Sequence, residues 1–187
     1  MFEELNIELP LNVNWNDLMV RANERSIKVV DIGVDDLQTL FPQVAAEWHP
    51  TKNGNLLPTN VKSQSNKSVW WRHFNPKTNL WHEWQDIVSH RTNTKSQRGC
   101  PICAGKQVLK GDNDFETVCP EQSKEWHKTK NGELLPSQII SHSNKKYWWQ
   151  CDECGTEWEA RASDRLRGTG CPKCSRKRAW DKRRKNT

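Results

Sequence analysis

Four cysteines near the end of the chain have the spacing of ligands for a tetrahedral metal ion. Cys151 and Cys154 form one pair, and Cys171 and Cys174 form a second pair after sixteen intervening residues. Two thiolate pairs at this spacing, each carried by a turn, predict a Zn²⁺ site. Because four thiolates close the coordination sphere, we expect this zinc to be structural rather than catalytic.

A second set of candidate ligands lies earlier in the chain and contains fewer cysteines. Cys100 and Cys103 form its thiolate pair. His73 occupies the position of the first cysteine of the later set, since each lies two residues after the second Trp of a Trp-Trp pair, and His82 lies where the second ligand is expected. Imidazole and thiolate both bind zinc, so the chain is expected to hold two zinc ions. His90 is the alternative to His82.

An internal repeat places the two ligand sets in equivalent positions. Glu47-Trp48-His49 recurs 78 residues later, as does the pair Trp70-Trp71. The offset falls to 74 at the Glu-Trp pairs and to 71 at the Cys-Pro pairs, so the length changes fall in predicted loops. This predicts three parts: an acidic leader over 1–36, zinc repeat 1 over 37–108, and zinc repeat 2 with a basic C-terminal helix over 109–187.

Local signals predict a small α+β domain in each repeat, with a short α/β leader before them. Pro42 and Pro120 suit the first turn of short helices that run to Trp48 and Trp126. The leader is expected to hold a helix that begins at Asn14 or Asn16 and a strand over 27–32. Runs rich in β-forming residues predict two strands per repeat, and a helix follows the last cysteine: strands over 69–72, 81–88, 147–150 and 157–162, and a helix over 175–185.

The composition favours small metal-stabilised domains inside a cell. Hydrophobic residues make up 34% of the chain and the mean hydropathy is −0.97, which excludes one large core. Seven cysteines cannot all pair in disulfides, and the acidic N-terminus does not have the pattern of a signal peptide. We therefore expect an intracellular, cytoplasmic protein without a membrane span.

Cys119 aligns with Phe41 and is predicted to be a buried spectator. The repeated Trp residues are expected to pack, with His49 and His127 as exposed neighbours.

The ordered motifs of each repeat resemble those of a known family. Glu-Trp-His, Asn-Gly, Pro, Ser-x-Lys, Trp-Trp, Cys or His, Glu-Trp, Arg and Gly-Cys-Pro-x-Cys are similar to the probable zinc-ribbon repeat family found in phage and bacterial proteins. The resemblance covers both repeats and leaves out the leader. It implies two tandem treble-clef-like zinc fingers. It also implies an association with DNA-handling proteins, sometimes as an appendage to nuclease domains.

The charge distribution indicates a nucleic-acid partner. The net charge is +6, of which residues 1–36 carry −5 and residues 175–187 carry +6. A basic terminal helix with one aromatic residue suits a phosphate-lined groove, so we expect a module of phage or mobile-element type that binds nucleic acid, with double-stranded DNA favoured. Arg91 and Arg165 recur after the second strand and either contact phosphate or brace the turn. The remaining expected contacts are Arg176, Lys177, Arg178, Trp180, Lys182, Arg183, Arg184 and Lys185.

Two other functions compete with this interpretation. The acidic leader favours a protein-interaction module that binds and modulates a host polymerase, nuclease or defence complex. A nuclease is less favoured, because the sequence has no second carboxylate cluster with a lysine at nuclease-like spacing and a four-thiolate zinc site is closed. The expected function is therefore non-catalytic.

Overall fold

The structure is a computed structural model that describes residues 30–185. Two α+β units follow one another, and one longer helix closes the described chain. The first unit contains α1 (Leu37–Leu40), α2 (Pro42–Ala45), β1 (Ser68–Asn75), β2 (Leu80–Ile87) and α3 (Val88–Thr92). The second contains α4 (Phe115–Val118), α5 (Pro120–Ser123), β3 (Lys146–Gln150), β4 (Glu157–Arg161), α6 (Ala162–Leu166) and the long helix α7 (Pro172–Lys185). Short 3₁₀ turns lie at Pro58–Asn60 and Pro136–Gln138.

Each unit is built on one antiparallel strand pair whose register is set by tryptophans. Trp71 faces Trp84 in the first pair, and Trp149 faces Trp158 in the second. The first strand pair is longer, since it continues to the pairing of Asn75 with Leu80, and this extension places two histidines opposite each other within the strands. The hairpin end is therefore one place where the two units differ.

The core of each unit is centred on the second tryptophan of the Trp-Trp pair. Trp71 and Trp149 are fully buried, and each meets another tryptophan edge to face: Trp48 at 5.4 Å and Trp126 at 5.2 Å between ring centroids. The indole N–H of each buried ring donates to a backbone carbonyl at 3.0 Å. Truncating such a ring to alanine typically costs about 3–5 kcal/mol. A few large rings thus supply the packing that the low hydrophobic content cannot supply otherwise.

The first tryptophan of each pair lies on the opposite face of the strand. Trp70 and Trp148 are half-buried, and the ammonium groups of Lys52 and Lys130 lie over these rings at 4.4 Å from the centroid. Adjacent residues of a strand point to opposite faces, which explains this division. The outward rings are therefore covered by lysine.

The same capped turn precedes both units. The Asp36 carboxylate accepts from the N–H of Gly33 at 2.6 Å and from the N–H three residues on at 2.9 Å. Asp114 makes the equivalent bonds at 2.7 and 3.0 Å, beginning with Gly111. Both glycines have φ +85°, a conformation that favours glycine. The internal correspondence therefore extends back to residues 31–36 and 109–114.

The four strands and the helices α2 and α5 agree with the predicted elements apart from their bounds. Pro42 and Pro120 are the first residues of α2 and α5, but both helices end sooner than expected. The helices α1, α3, α4 and α6 were not predicted, because each has only four or five residues. The predicted leader helix lies outside the described residues, as does most of the leader strand, whose last residues 30–32 are not in a strand.

The last helix begins earlier than predicted. Helix α7 starts at Pro172, so its first turn contains Cys174. Beyond Cys174, every side chain to Lys185 is exposed. Within residues 30–185, no helix combines the length and apolar character needed to cross a membrane.

Candidate metal centres

The sulfur atoms of the four late cysteines converge at the end of the second hairpin. Cys151 and Cys154 lie in the turn between β3 and β4, while Cys171 precedes α7 and Cys174 lies in its first turn. The Sγ atom of Cys154 is 3.4 Å from that of Cys174 and 3.6 Å from that of Cys171. The Sγ atoms of Cys151 and Cys174 are 3.7 Å apart. A tetrahedron with Zn–S bonds of about 2.3 Å has edges of about 3.8 Å, so this cluster, site 2, has the dimensions of a zinc cage.

The local environment gives these thiols different acidities. Burial raises the pKa of Cys151, and the neighbouring Cys154 thiol together with burial raises the pKa of Cys174. Hydrogen bonding with the side chain and backbone of Thr156 lowers the pKa of Cys154 to about 6. Several thiolates close together repel one another, and a divalent cation supplies the compensating charge as it displaces the protons. The donor set therefore fits Zn²⁺.

His82, Cys100 and Cys103 form a second cluster of donors, site 1. The His82 ring is fully buried on β2, and its Nδ1 lies 3.2 Å from Sγ of Cys100 and 3.3 Å from Sγ of Cys103. Around a tetrahedral zinc ion the corresponding N–S separation is about 3.5 Å. Burial, followed by the hydrogen bond with Cys100, raises the pKa of Cys103 to about 11. These three residues fit Zn²⁺, and the two clusters agree with the predicted cofactor.

The other histidines considered for site 1 lie outside this cluster of three donors. His73 pairs with His82 in the strand register, with 6.0 Å between the ring centroids, and its Nδ1 is 3.1 Å from the carboxylate of Glu47. His90 lies on α3, where its Nδ1 is 2.8 Å from the carboxylate of Asp86. Of the two predicted alternatives, His82 is therefore the imidazole that the fold places beside the cysteines.

The outer nitrogen of His82 has a partner that sequence reasoning missed. Nε2 lies 2.9 Å from Oδ2 of Asp112. Since Nδ1 faces the sulfur atoms, Nε2 carries the proton and donates it to this carboxylate. Asp112 belongs to no repeated motif: the corresponding residue before the first unit is Val34. No pattern in the chain therefore pointed to it.

The repeated histidines of the Glu-Trp-His motif are structural. Nδ1 of His49 accepts from the N–H groups of Thr51 and Lys52 at 3.3 and 3.1 Å, while Nε2 donates to Glu83 at 3.0 Å. His127 makes the same contacts in the second unit. Both side chains are buried, so the expectation of exposed neighbours was wrong: their nitrogens are needed to close a turn. Hydrogen bonds from Lys52 and then His49 hold the pKa of Glu83 below its ordinary value.

Arg91 and Arg165 lie in the cores of the two units. They are 4% and 2% exposed, respectively. Each guanidinium lies 5.0–5.2 Å from the centroids of two tryptophan rings and pairs with the carboxylate of the Glu-Trp-His motif. A phosphate contact requires an accessible guanidinium, which this burial prevents. Of the two alternatives stated for these arginines, bracing is the one that their contacts support.

The remaining residues expected to contact nucleic acid share one element. Helix α7 carries all of them, and its contact with the rest of the second unit includes a long pair between Arg178 and Glu153 at 3.7 Å. The Trp180 ring is 63% exposed. The group is Arg176, Lys177, Arg178, Trp180, Lys182, Arg183, Arg184 and Lys185, all exposed.

The comparison with known proteins agrees with this geometry. Residues 44–106 and 123–177 match the family described as Probable Treble clef zinc finger domain. One segment falls in each unit, in agreement with tandem copies: the first contains His82, Cys100 and Cys103, and the second contains all four cysteines of site 2. No curated protein matches the chain.

Proposed function

Because this chain belongs to the Probable Treble clef zinc finger domain family, we propose that its zinc-stabilised units present helix α7 to nucleic acid. The zinc is structural and the module is non-catalytic. The observation that carries the proposal is the eleven-residue segment Ser175–Lys185, whose side chains are all exposed and seven of which are Lys or Arg. A helix that is polar on all sides contributes little to folding by itself, so its basic surface is available to a partner.

Double-stranded DNA is the partner that best suits this helix. The DNA major groove admits an α-helix, and dense phosphate charge attracts a row of Arg and Lys side chains. Trp180, exposed among them, can contact a sugar or a base edge. Cys171 and Cys174 anchor the start of the helix through site 2, so the zinc also sets its direction.

We expect loss of three helix charges to weaken binding to a duplex of about 30 bp and to reduce its salt dependence. The variant Arg176→Gln/Arg184→Gln/Lys185→Gln removes three cations and leaves the zinc ligands intact. Each lost phosphate contact lowers the slope of log K against log salt by about 0.9. Fluorescence anisotropy across a salt series measures both the affinity and the slope.

A matched variant distinguishes the effect of the charges on helix α7 from the effect of the net charge of the protein. Lys77→Gln/Lys95→Gln/Lys110→Gln removes the same charge from exposed residues outside α7. It is expected to retain the slope of the unaltered protein within about one phosphate contact. Equal weakening by both variants would show that net charge, rather than helix α7, causes the binding.

We further propose that His73 completes site 1 as the fourth ligand. It lies two residues after the second Trp of its pair, as Cys151 does in the second unit, and it pairs with His82 in the strand register. The parts 1–36, 37–108 and 109–187 remain our proposed division of the chain. We also propose that the protein acts in the cytoplasm. If a phage or mobile element encodes it, this is the cytoplasm of the bacterial host.

A protein partner is the second candidate, and an exposed aromatic patch favours it. Phe74 and Trp81, at the end of the first strand pair, are 38% and 48% exposed with ring centroids 5.1 Å apart. The Arg72 guanidinium lies 3.7 Å above the Trp81 ring. Tryptophan and arginine are among the residues enriched at the hot spots of protein interfaces. Through this patch and the leader, such a module would bind and modulate a host polymerase, nuclease or defence complex.

The two candidate functions respond oppositely to one substitution. For the protein-binding candidate we expect Trp81→Ser to abolish capture of a partner from nuclease-treated host lysate, while the triple glutamine variant of α7 retains it. For the DNA-binding candidate, Trp81→Ser keeps the duplex affinity within about twofold, since the patch is not part of α7. Loss of DNA binding in Trp81→Ser would contradict the assignment of DNA contact to α7 alone.

A further inference from the structure

Asp112 lies in the turn before the second unit, yet it contacts the metal centre of the first. Its carboxylate accepts from His82 Nε2 at 2.9 Å, from Asn75 Nδ2 at 2.9 Å and from the hydroxyl of Thr78. The side chain is 7% exposed. All three donors come from the end of the first hairpin, which extends beyond the strand pairing that the second unit has. The Asp112 carboxylate therefore joins the turn that leads into the second unit to His82, a candidate metal ligand of the first unit.

The turn itself does not need an aspartate at this position. The equivalent turn over 31–36 has the same cap and the same glycine conformation, but Val34 stands in place of Asp112 and is 61% exposed. Burying a carboxylate is costly unless hydrogen bonds satisfy it. Three donors converge on Asp112, which indicates that its placement serves the His82 contact rather than the turn.

The residue that follows Asp112 holds the loop carrying the cysteine ligands. Asn113 Nδ2 donates to the carbonyls of Ile102 and Gln107, both at 2.9 Å. The same loop also approaches the second unit, because a Cβ atom added at Gly105 would collide with the His142 ring. Both sides of site 1, the imidazole and the thiolates, are thus held by residues of the turn that leads into the second unit, and the thiolate loop also lies against His142 of that unit.

We propose that Asp112 is a positioning residue for the metal at site 1, and that this site is the joint through which the two units hold a fixed relative orientation. The carboxylate fixes the tautomer in which Nδ1 of His82 is free to bind the ion. The metal in turn fixes His82, and His82 retains Asp112 and the turn that leads into the second unit. Site 2 has four thiolates and no imidazole, so it needs no such residue.

Zinc affinity and histidine chemistry test the positioning role. In the full chain, Asp112→Asn and Asp112→Ala are expected to weaken zinc binding at one of the two sites by about 10–100-fold in chelator competition, with the other site unchanged. Glu116→Gln, an equal charge change at an exposed residue four positions away, is the control and is expected to retain both affinities. Spectra of ¹⁵N-labelled histidine are expected to show a slowly exchanging Nε2–H on zinc-bound His82, which Asp112→Ala loses.

Rotational diffusion tests the joint. Backbone ¹⁵N relaxation of the zinc-loaded protein is expected to give one correlation time for both units, and two separate times in Asp112→Ala. Asp112→Asn preserves the side-chain shape, so it covers the case in which the alanine variant does not fold. Unchanged affinity at both sites, together with a retained Nε2–H signal, would overturn the positioning role. Weaker binding with one shared correlation time in both variants would overturn the joint.

Discussion

Cys171→Ser is expected to release the zinc ion of site 2 and to unfold the second unit. The sulfur atoms of this site lie 3.4–3.7 Å apart, so loss of one leaves a cluster that cannot form the closed cage. Structural zinc in small domains contributes an apparent binding free energy of about 10 kcal/mol or more at neutral pH. The core of the second unit, with Trp149 at its centre, is too small to compensate for that loss.

Metal content and folding are measured together in this experiment. The unaltered protein is expected to hold two zinc ions per chain and the variant one, with the melting transition of the second unit lost. A strong chelator is expected to remove both ions and to unfold both units. Cys119→Ser is the matched control, because this buried thiol lies outside both clusters; it should keep two zinc ions at a cost of about 1 kcal/mol. A Cys171→Ser protein that kept its zinc content and melting temperature would contradict the structural role of site 2.

Arg165→Met is expected to destabilise the second unit by about 3 kcal/mol. The guanidinium lies between Trp149 and Trp158, pairs with Glu125 and donates to the carbonyl of Thr169 at 2.5 Å. Methionine fills much of the same volume but leaves the carboxylate of Glu125 without its cation. Removing one partner of a buried pair costs more than the pair itself contributes, because the remaining charge stays desolvated.

The control for this substitution is an arginine on the surface. Arg167→Met removes the same charge from a side chain that is 69% exposed and pairs with Asp164 in solvent. Its cost is expected to be below about 1 kcal/mol. Denaturant unfolding measures both variants, and DNA affinity is measured where each is folded. If Arg165→Met were as stable as Arg167→Met but bound DNA more weakly, Arg165 would be a phosphate contact and not a brace.

The contrast between the two arginine roles shows where sequence reasoning reached its limit. Recurrence in both repeats marked Arg91 and Arg165 as important, but a repeated arginine can recur for packing or for binding. Which of the two roles applies depends on whether the rest of the unit packs over the short helix that follows the second strand and buries its arginine. In the structure, Glu47 and Glu125 reach these arginines from 44 and 40 positions away, contacts that no local pattern encodes.

Much of this protein could be determined from its sequence alone. The ligand types and their spacing indicated the residues of both donor clusters, because thiolate and imidazole chemistry depends on residue identity and on short chain separations. His73, predicted from the same alignment, lies outside the cluster of three donors. The repeat specified the tandem units, and proline and β-forming runs placed most of the short elements. Only the tertiary structure determined the rest: that His49 closes a buried turn, that the arginines are core residues, and that Asp112 supports His82. These features depend on packing between segments distant in the chain, where burial and hydrogen-bond partners are set by how the units fold against each other.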